Sequence, residues 1–76
     1  MSHHTLDARR MMCPMPVIRT QDKVAMLNTG DTLEVVCSDP GALNDIPAWC
    51  RINGHTVLMT KETADEIFVT LQVGDK

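Results

Sequence analysis

The chain has 76 residues, a formal net charge of −3 and 43% apolar residues. A chain this short buries roughly 60% of its unfolded surface, so the expectation is one modest core in a single domain spanning residues 1–76. The apolar share excludes disorder. The acidic balance, with Trp49 and Phe68 as the only aromatics, excludes a nucleic-acid-binding surface.

Six methionines stand in for the missing aromatics as fillers of an aliphatic core. No apolar run is long enough to cross a bilayer. Met1-Ser2-His3-His4-Thr5 lacks the apolar stretch of an export signal. A cytoplasmic protein is therefore expected, and its three cysteines should be reduced thiols rather than a disulfide framework. Those cysteines show no paired spacing of the zinc-site kind, so neither metal nor cofactor is expected.

In chain order, Thr5 to Ala8 reads as a short first strand and Arg9 to Met12 as a connection. From Pro14 the apolar positions change to helical spacing, through Val17, Thr20, Val24 and Leu27, with Gly30 as the stop signal. Thr32 to Cys37 alternates as a strand with Leu33, Val35 and Cys37 on one face. Ser38-Asp39-Pro40-Gly41 is a turn or cap signal. Proline suits only the first turn of a helix, so Pro47 places the second helix at Ile46 to Asn53 with Asp45 as its N-cap.

Asn53-Gly54 follows a helical segment, so Gly54 is expected as a left-handed C-terminal cap rather than part of a hairpin turn. His55 to Lys61 and Ile67 to Val73 complete the pattern as two strands joined by Thr63-Ala64-Asp65-Glu66. The order β-α-β-α-β-β implies an α/β two-layer sandwich. Two helices cover one face of a four-stranded mixed sheet, and the last two strands run antiparallel.

The chemistry concentrates at Cys13-Pro14-Met15-Pro16. Pro14 fits the first helical position, where a missing N–H costs nothing, and Pro16 still lies in the first turn. The two prolines make a stiff helix start with Cys13 at its entrance. A thiol there faces the positive end of the helix, which should lower its pKa and favour thiolate. Arg9, Arg10 and Arg19 are near enough in sequence to add to that field. Position 16 is proline, so there is no C-x-x-C dithiol, and no histidine or carboxylate is locally paired with Cys13 as a base. Such a site suits a carrier whose partner enzymes bring the acid–base groups.

Cys37, on the apolar strand face, and Cys50, beside Trp49, are expected as packed core thiols. Asp39 and Asp45 are expected as caps, and His55 as a structural hydrogen-bonding residue. Arg9, Arg10, Met11 and Met12 are candidates for partner contact. For Met11 and Met12, a docking rim and plain core are both open.

The chain resembles the TusA (SirA-like) family of sulfur carriers over nearly its whole length. The resemblance rests on Leu6-Asp7, Cys13-Pro14-Met15-Pro16, Arg19-Thr20, Gly30-Asp31, Asp39-Pro40, Asp45-Ile46-Pro47 and Gly54-His55. It implies the same β-α-β-α-β-β sandwich and a persulfide on Cys13. The sulfur would be relayed from a cysteine desulfurase or rhodanese to an acceptor protein, with Pro14, Pro16 and Arg19 supporting. Transfer-RNA thiolation, sulfur oxidation and cofactor sulfuration are all compatible pathways. The chain departs from the family at Arg10, where glycine is usual. A monomer is expected, without direct nucleic-acid or membrane contact. The alternative is a regulatory or adaptor domain that binds a partner, with Cys13 as a redox sensor, and passes no sulfur on.

Overall fold

The structure, a computed structural model, describes residues 1–75; Lys76, which the expected domain includes, lies outside the described residues. The elements are β1 (His3–Ala8), α1 (Met15–Val24), β2 (Thr32–Cys37), α2 (Ala42–Asn53), β3 (Thr56–Glu62) and β4 (Ile67–Gln72). This is the order expected from the sequence. The sheet runs β1-β2-β4-β3, with β1 parallel to β2 and β4 antiparallel to both β2 and β3. β4 thus lies between the two strands that α2 connects.

Period-two alternation sets which face is covered. Leu33, Val35 and Cys37 stand opposite Leu71, Val69 and Ile67, and all six are buried. Ala8, paired with Cys37, continues this face onto β1. Against it lie the inward residues of α1 (Pro16, Thr20 and Val24) and of α2 (Ala42, Ile46 and Cys50), each set four residues apart. The other face is uncovered. Asp7, Val36, Phe68 and Lys61 form one row across it, and Lys61 Nζ lies 5.8 Å from the centre of the Phe68 ring.

β1 begins two residues before the expected Thr5, the last two strands shift by a single residue, and two helix boundaries differ by more. α1 ends at Val24 rather than running to Gly30. Met26 and Leu27 N–H groups turn back to Lys23 and Val24 carbonyls, so the chain leaves the helix through tight turns that still bury Leu27. Gly30 instead supplies a left-handed residue (φ 95°) at the entry to β2, where its N–H donates to the Val73 carbonyl at 2.8 Å.

α2 begins at Ala42 rather than Ile46, which leaves Asp45 inside the helix and Pro47 well past the first turn. The first-turn N–H groups of Ala42, Leu43 and Asn44 reach back to Asp39, Pro40 and Gly41 carbonyls. The N–H that Pro47 lacks is the one that would have reached Leu43. Burial of Ala42, Ile46 and Cys50 on the sheet outweighs that lost bond. The C-terminal end is as expected. Gly54 has φ 82°, and His55 N–H donates to the Cys50 carbonyl at 2.8 Å, the six-to-one bond of a Schellman cap.

Candidate functional site

α1 starts at Met15, with Pro14 as the capping residue and Pro16 in its first turn. The Cys13–Pro14 peptide bond is cis. Pro16 is buried against the core and Pro14 is exposed, so one proline anchors the turn while the other borders solvent. Cys13 is exposed, whereas Cys37 and Cys50 are fully buried. Burial pushes both of those thiols up to about 11, which makes them inert at neutral pH. The expectation that they are packed core residues holds.

The electrostatics of Cys13 reverse the expectation. Its Sγ donates a hydrogen bond to Asp45 Oδ2 at 3.3 Å, and its backbone N–H donates to Asp39 Oδ2 at 3.1 Å. The thiol pKa is raised, first by the Asp45 hydrogen bond, then by partial loss of solvent and by the charges of Asp45 and Asp39. The anticipated positive helix end is weak for a structural reason. Pro14 and Pro16 carry no N–H, and the Met15 N–H is already spent on the Met12 carbonyl at 2.8 Å. The prolines that stiffen the entrance also remove two of its donors, and the Asp45 carboxylate meets the sulfur while Asp39 holds the Cys13 N–H.

Asp45 therefore does not cap α2 as expected. Cys13 has no partner nearby in sequence, as expected, but Asp45 pairs with it from 32 residues further along the chain. Asp39 does act in the turn before α2, where its Oδ1 accepts the Gly41 N–H at 3.0 Å while its other oxygen holds Cys13. No local spacing around Cys13 could reveal either contact. The available signal was that Asp39-Pro40 and Asp45-Ile46-Pro47 were among the residues carrying the family resemblance.

The remaining candidates separate. Arg9 turns away from the thiol to the uncovered sheet face, where it pairs with Asp7 Oδ1 at 2.9 Å and Glu66 Oε2 at 3.1 Å. The side-chain and backbone hydrogen bonds from Arg9 hold the Asp7 carboxyl down at about 2. Arg10 has a positive φ of 65°, and its N–H donates to Ser38 Oγ at 2.8 Å. The position where the family usually has glycine is thus a left-handed one. Met11 packs half-buried against the core, while Met12 stays 80% exposed beside Cys13, which divides the two roles left open for the pair. Arg19 is exposed on α1, near the exposed Met15 and Ile18. His55 is structural: its Nδ1 accepts the Gly74 N–H at 3.0 Å, and its ring stacks on Trp49 with centroids 5.0 Å apart.

The family model described as Sulfurtransferase TusA matches residues 4–73, which takes in Cys13, Asp39 and Asp45. The chain belongs to the TusA family. A Bacillus subtilis protein named "Putative sulfur carrier protein YrkI" is 38% identical over 73 residues, covering 96% of this chain and 97% of its own. A Neisseria meningitidis protein named "Putative sulfur carrier protein NMA0882" is 40% identical over 76 residues, the whole of both chains. The crystal structure of a SirA-like protein from Desulfitobacterium hafniense has the same fold. It aligns with a TM-score of 0.80 at 23% identity, covering 95% of this chain and 99% of that one. Membership and relatives together support a sulfur-carrier role, which sets the protein between a sulfur donor and a sulfur acceptor.

Proposed function

We propose that Cys13 is the carrying atom of this sulfur carrier. The observation that supports it most directly is that, of three cysteines, Cys13 alone is exposed. Sulfur loaded there has no second accessible thiol in the chain to resolve it into a disulfide. In the loading step Cys13 Sγ attacks the outer sulfur of a donor persulfide R–S–SH. The donor's S–S bond breaks, R leaves as a thiol with one proton, and Cys13–S–SH forms. An acceptor nucleophile then takes the outer sulfur and restores the Cys13 thiol. Neither step changes the net oxidation level.

The donor in this reading is a protein persulfide of the cysteine desulfurase or rhodanese type. The acceptor is a protein of a sulfur-transfer pathway such as tRNA thiolation, sulfur oxidation or cofactor sulfuration. Pro14 and Pro16 fix the entrance. Arg19, Met12 and the Arg9–Arg10 connection border the surface a partner would meet. Among the described residues no helix is long and apolar enough to cross a membrane, and a reduced cytoplasmic setting is part of the proposal. So is a single domain acting as a monomer. The raised Cys13 pKa weighs against the sensor alternative, because redox-sensing thiols work as thiolates.

The test is a two-stage relay. The chain is loaded from a cysteine desulfurase with radiolabelled cysteine, separated from the donor, and offered to an acceptor thiol. Label that travels with the parent chain and passes on supports the proposal. Equal loading and release by Cys13→Ser contradicts it.

A further inference from the structure

Two carboxylates reach Cys13 from separate places, Asp45 from within α2 and Asp39 from the turn before it. Among the described residues no cation is hydrogen-bonded or ion-paired to either of them. Arg9 is committed to Asp7 and Glu66 on the uncovered sheet face, and Arg10 brings only its backbone N–H to Ser38. The charged groups acting on the thiol are thus both negative. Any negative charge that builds on Sγ, or arrives with a reagent, meets uncompensated negative charge within hydrogen-bond reach.

We propose that Asp45, backed by Asp39, makes Cys13 a charge-selective thiol that takes sulfane sulfur from donors presenting a cation and disfavours small anionic donors. The proposal rests on the sulfur-carrier reading for its substrate. It adds the class of donor and the residue that selects it. In the free carrier the Asp45 carboxylate accepts the S–H hydrogen bond and holds Cys13 as a thiol. A donor that brings a positive group to that carboxylate turns its charge outward and lets the Sγ proton leave. Sγ then attacks the outer sulfur of the donor persulfide. The donor's S–S bond breaks, and the departing thiolate takes up the proton released from Cys13. Asp45 is in contact with the reacting sulfur, and its role is electrostatic selection. The mutual exclusion of like charges also protects the free carrier from small anions during transit.

The experiment compares two small persulfides of opposite charge on the full chain, the persulfide of cysteamine (cationic) and that of mercaptopropionate (anionic). Their loading rates on the parent, Asp45→Asn and Asp45→Ala are followed by intact mass. A parallel arm alkylates the same proteins with neutral iodoacetamide and anionic iodoacetate across pH, which needs no sulfur transfer. The parent should favour the cationic persulfide and the neutral alkylator. Both preferences should shrink in both variants by on the order of fivefold, the Coulomb effect of one charge near 4 Å in water. The midpoint of the alkylation rate against pH should fall as well. Added salt should narrow the preferences of the parent more than those of the variants.

Preferences and midpoint that stay at parental values in both folded variants overturn the proposal. Should a variant not fold, absence of any salt effect on the parent's preferences overturns it equally. If the parent takes sulfur from neither persulfide yet keeps its alkylation selectivity, the carrier reading fails while the role of Asp45 stands.

Discussion

Ser38 Oγ accepts the Arg10 N–H at 2.8 Å, tying the connection before Cys13 to the end of β2 at a point where Arg10 is left-handed. An L side chain in that region costs roughly 1–2 kcal/mol. Arg10→Gly removes this cost, keeps the N–H for Ser38, and gives back part of the gain through the freer unfolded chain. The expected result is a net stabilisation of about 0.5–1 kcal/mol. Urea unfolding of parent and variant measures it, and a destabilised Arg10→Gly contradicts the account of this residue.

Cys37 and Cys50 are fully buried, and that burial raises their thiols from the ordinary value to about 11. The unfolded chain loses these protons first as the pH climbs, so the folded state binds more protons between about 9 and 11. Stability should therefore be flat from neutrality to about pH 8 and fall through that window. The loss should approach roughly 3 kcal/mol per thiol above it. Cys50→Ala should have a lower starting stability and a shallower alkaline decline. Denaturant midpoints taken from pH 7 to 11 decide this; a parent curve flat to the end contradicts it.

Asp31 is buried and accepts the Asn28 and Ser2 N–H groups at 3.0 Å each. These bonds hold its carboxyl below the ordinary value, the Asn28 bond most strongly. A depressed folded pKa means stability that is present above the unfolded value, about 3.9, and is lost as the pH falls through the folded one. Asp31→Asn keeps one acceptor oxygen and loses the charge. It should melt a few degrees lower at pH 7, on the order of one lost hydrogen bond in a small domain. It should also show a weaker acid dependence than the parent below about pH 4. Thermal melts at the two pH values make the comparison.

Ile46 is fully buried next to Asp45 in α2. Ile46→Val should cost about 1 kcal/mol through the small cavity it leaves. The same change loosens the turn that presents Asp45 to Cys13. Its Cys13 alkylation midpoint should shift toward that of Asp45→Asn rather than stay at the parent's value. A stability loss with no shift would show that Asp45 is positioned independently of the core.

How much of this was legible in the sequence depended on how far each cause acts along the chain. β2 falls at Thr32–Cys37 as its alternation predicts, and Gly54 caps α2 with a positive φ as its place after a helical segment predicts. α2 starts earlier than Pro47 implies because the spacing of Ala42, Ile46 and Cys50, which marks the buried stripe, overrides the proline preference. α1 ends well before Gly30 because that glycine supplies a left-handed residue at the entry to β2 rather than a helix cap. Cys13 stands out locally, between two prolines. Its thiol chemistry does not, because the group that sets it is Asp45, brought across by the packing of α2 on the sheet. The helix-dipole expectation failed partly for a reason visible in the same four residues: the two prolines bring no N–H to the entrance.

Sulfur is expected to travel on Cys13. The most direct measurement is the intact and peptide mass of the chain after incubation with a cysteine desulfurase and cysteine, for the parent and Cys13→Ser. The expected result is one added sulfur atom on the Cys13 peptide, removed by a reducing thiol, with none on Cys13→Ser and none on the Cys37 or Cys50 peptides. Sulfur loaded equally onto Cys13→Ser, or found on Cys37 or Cys50 of the folded parent, would contradict it.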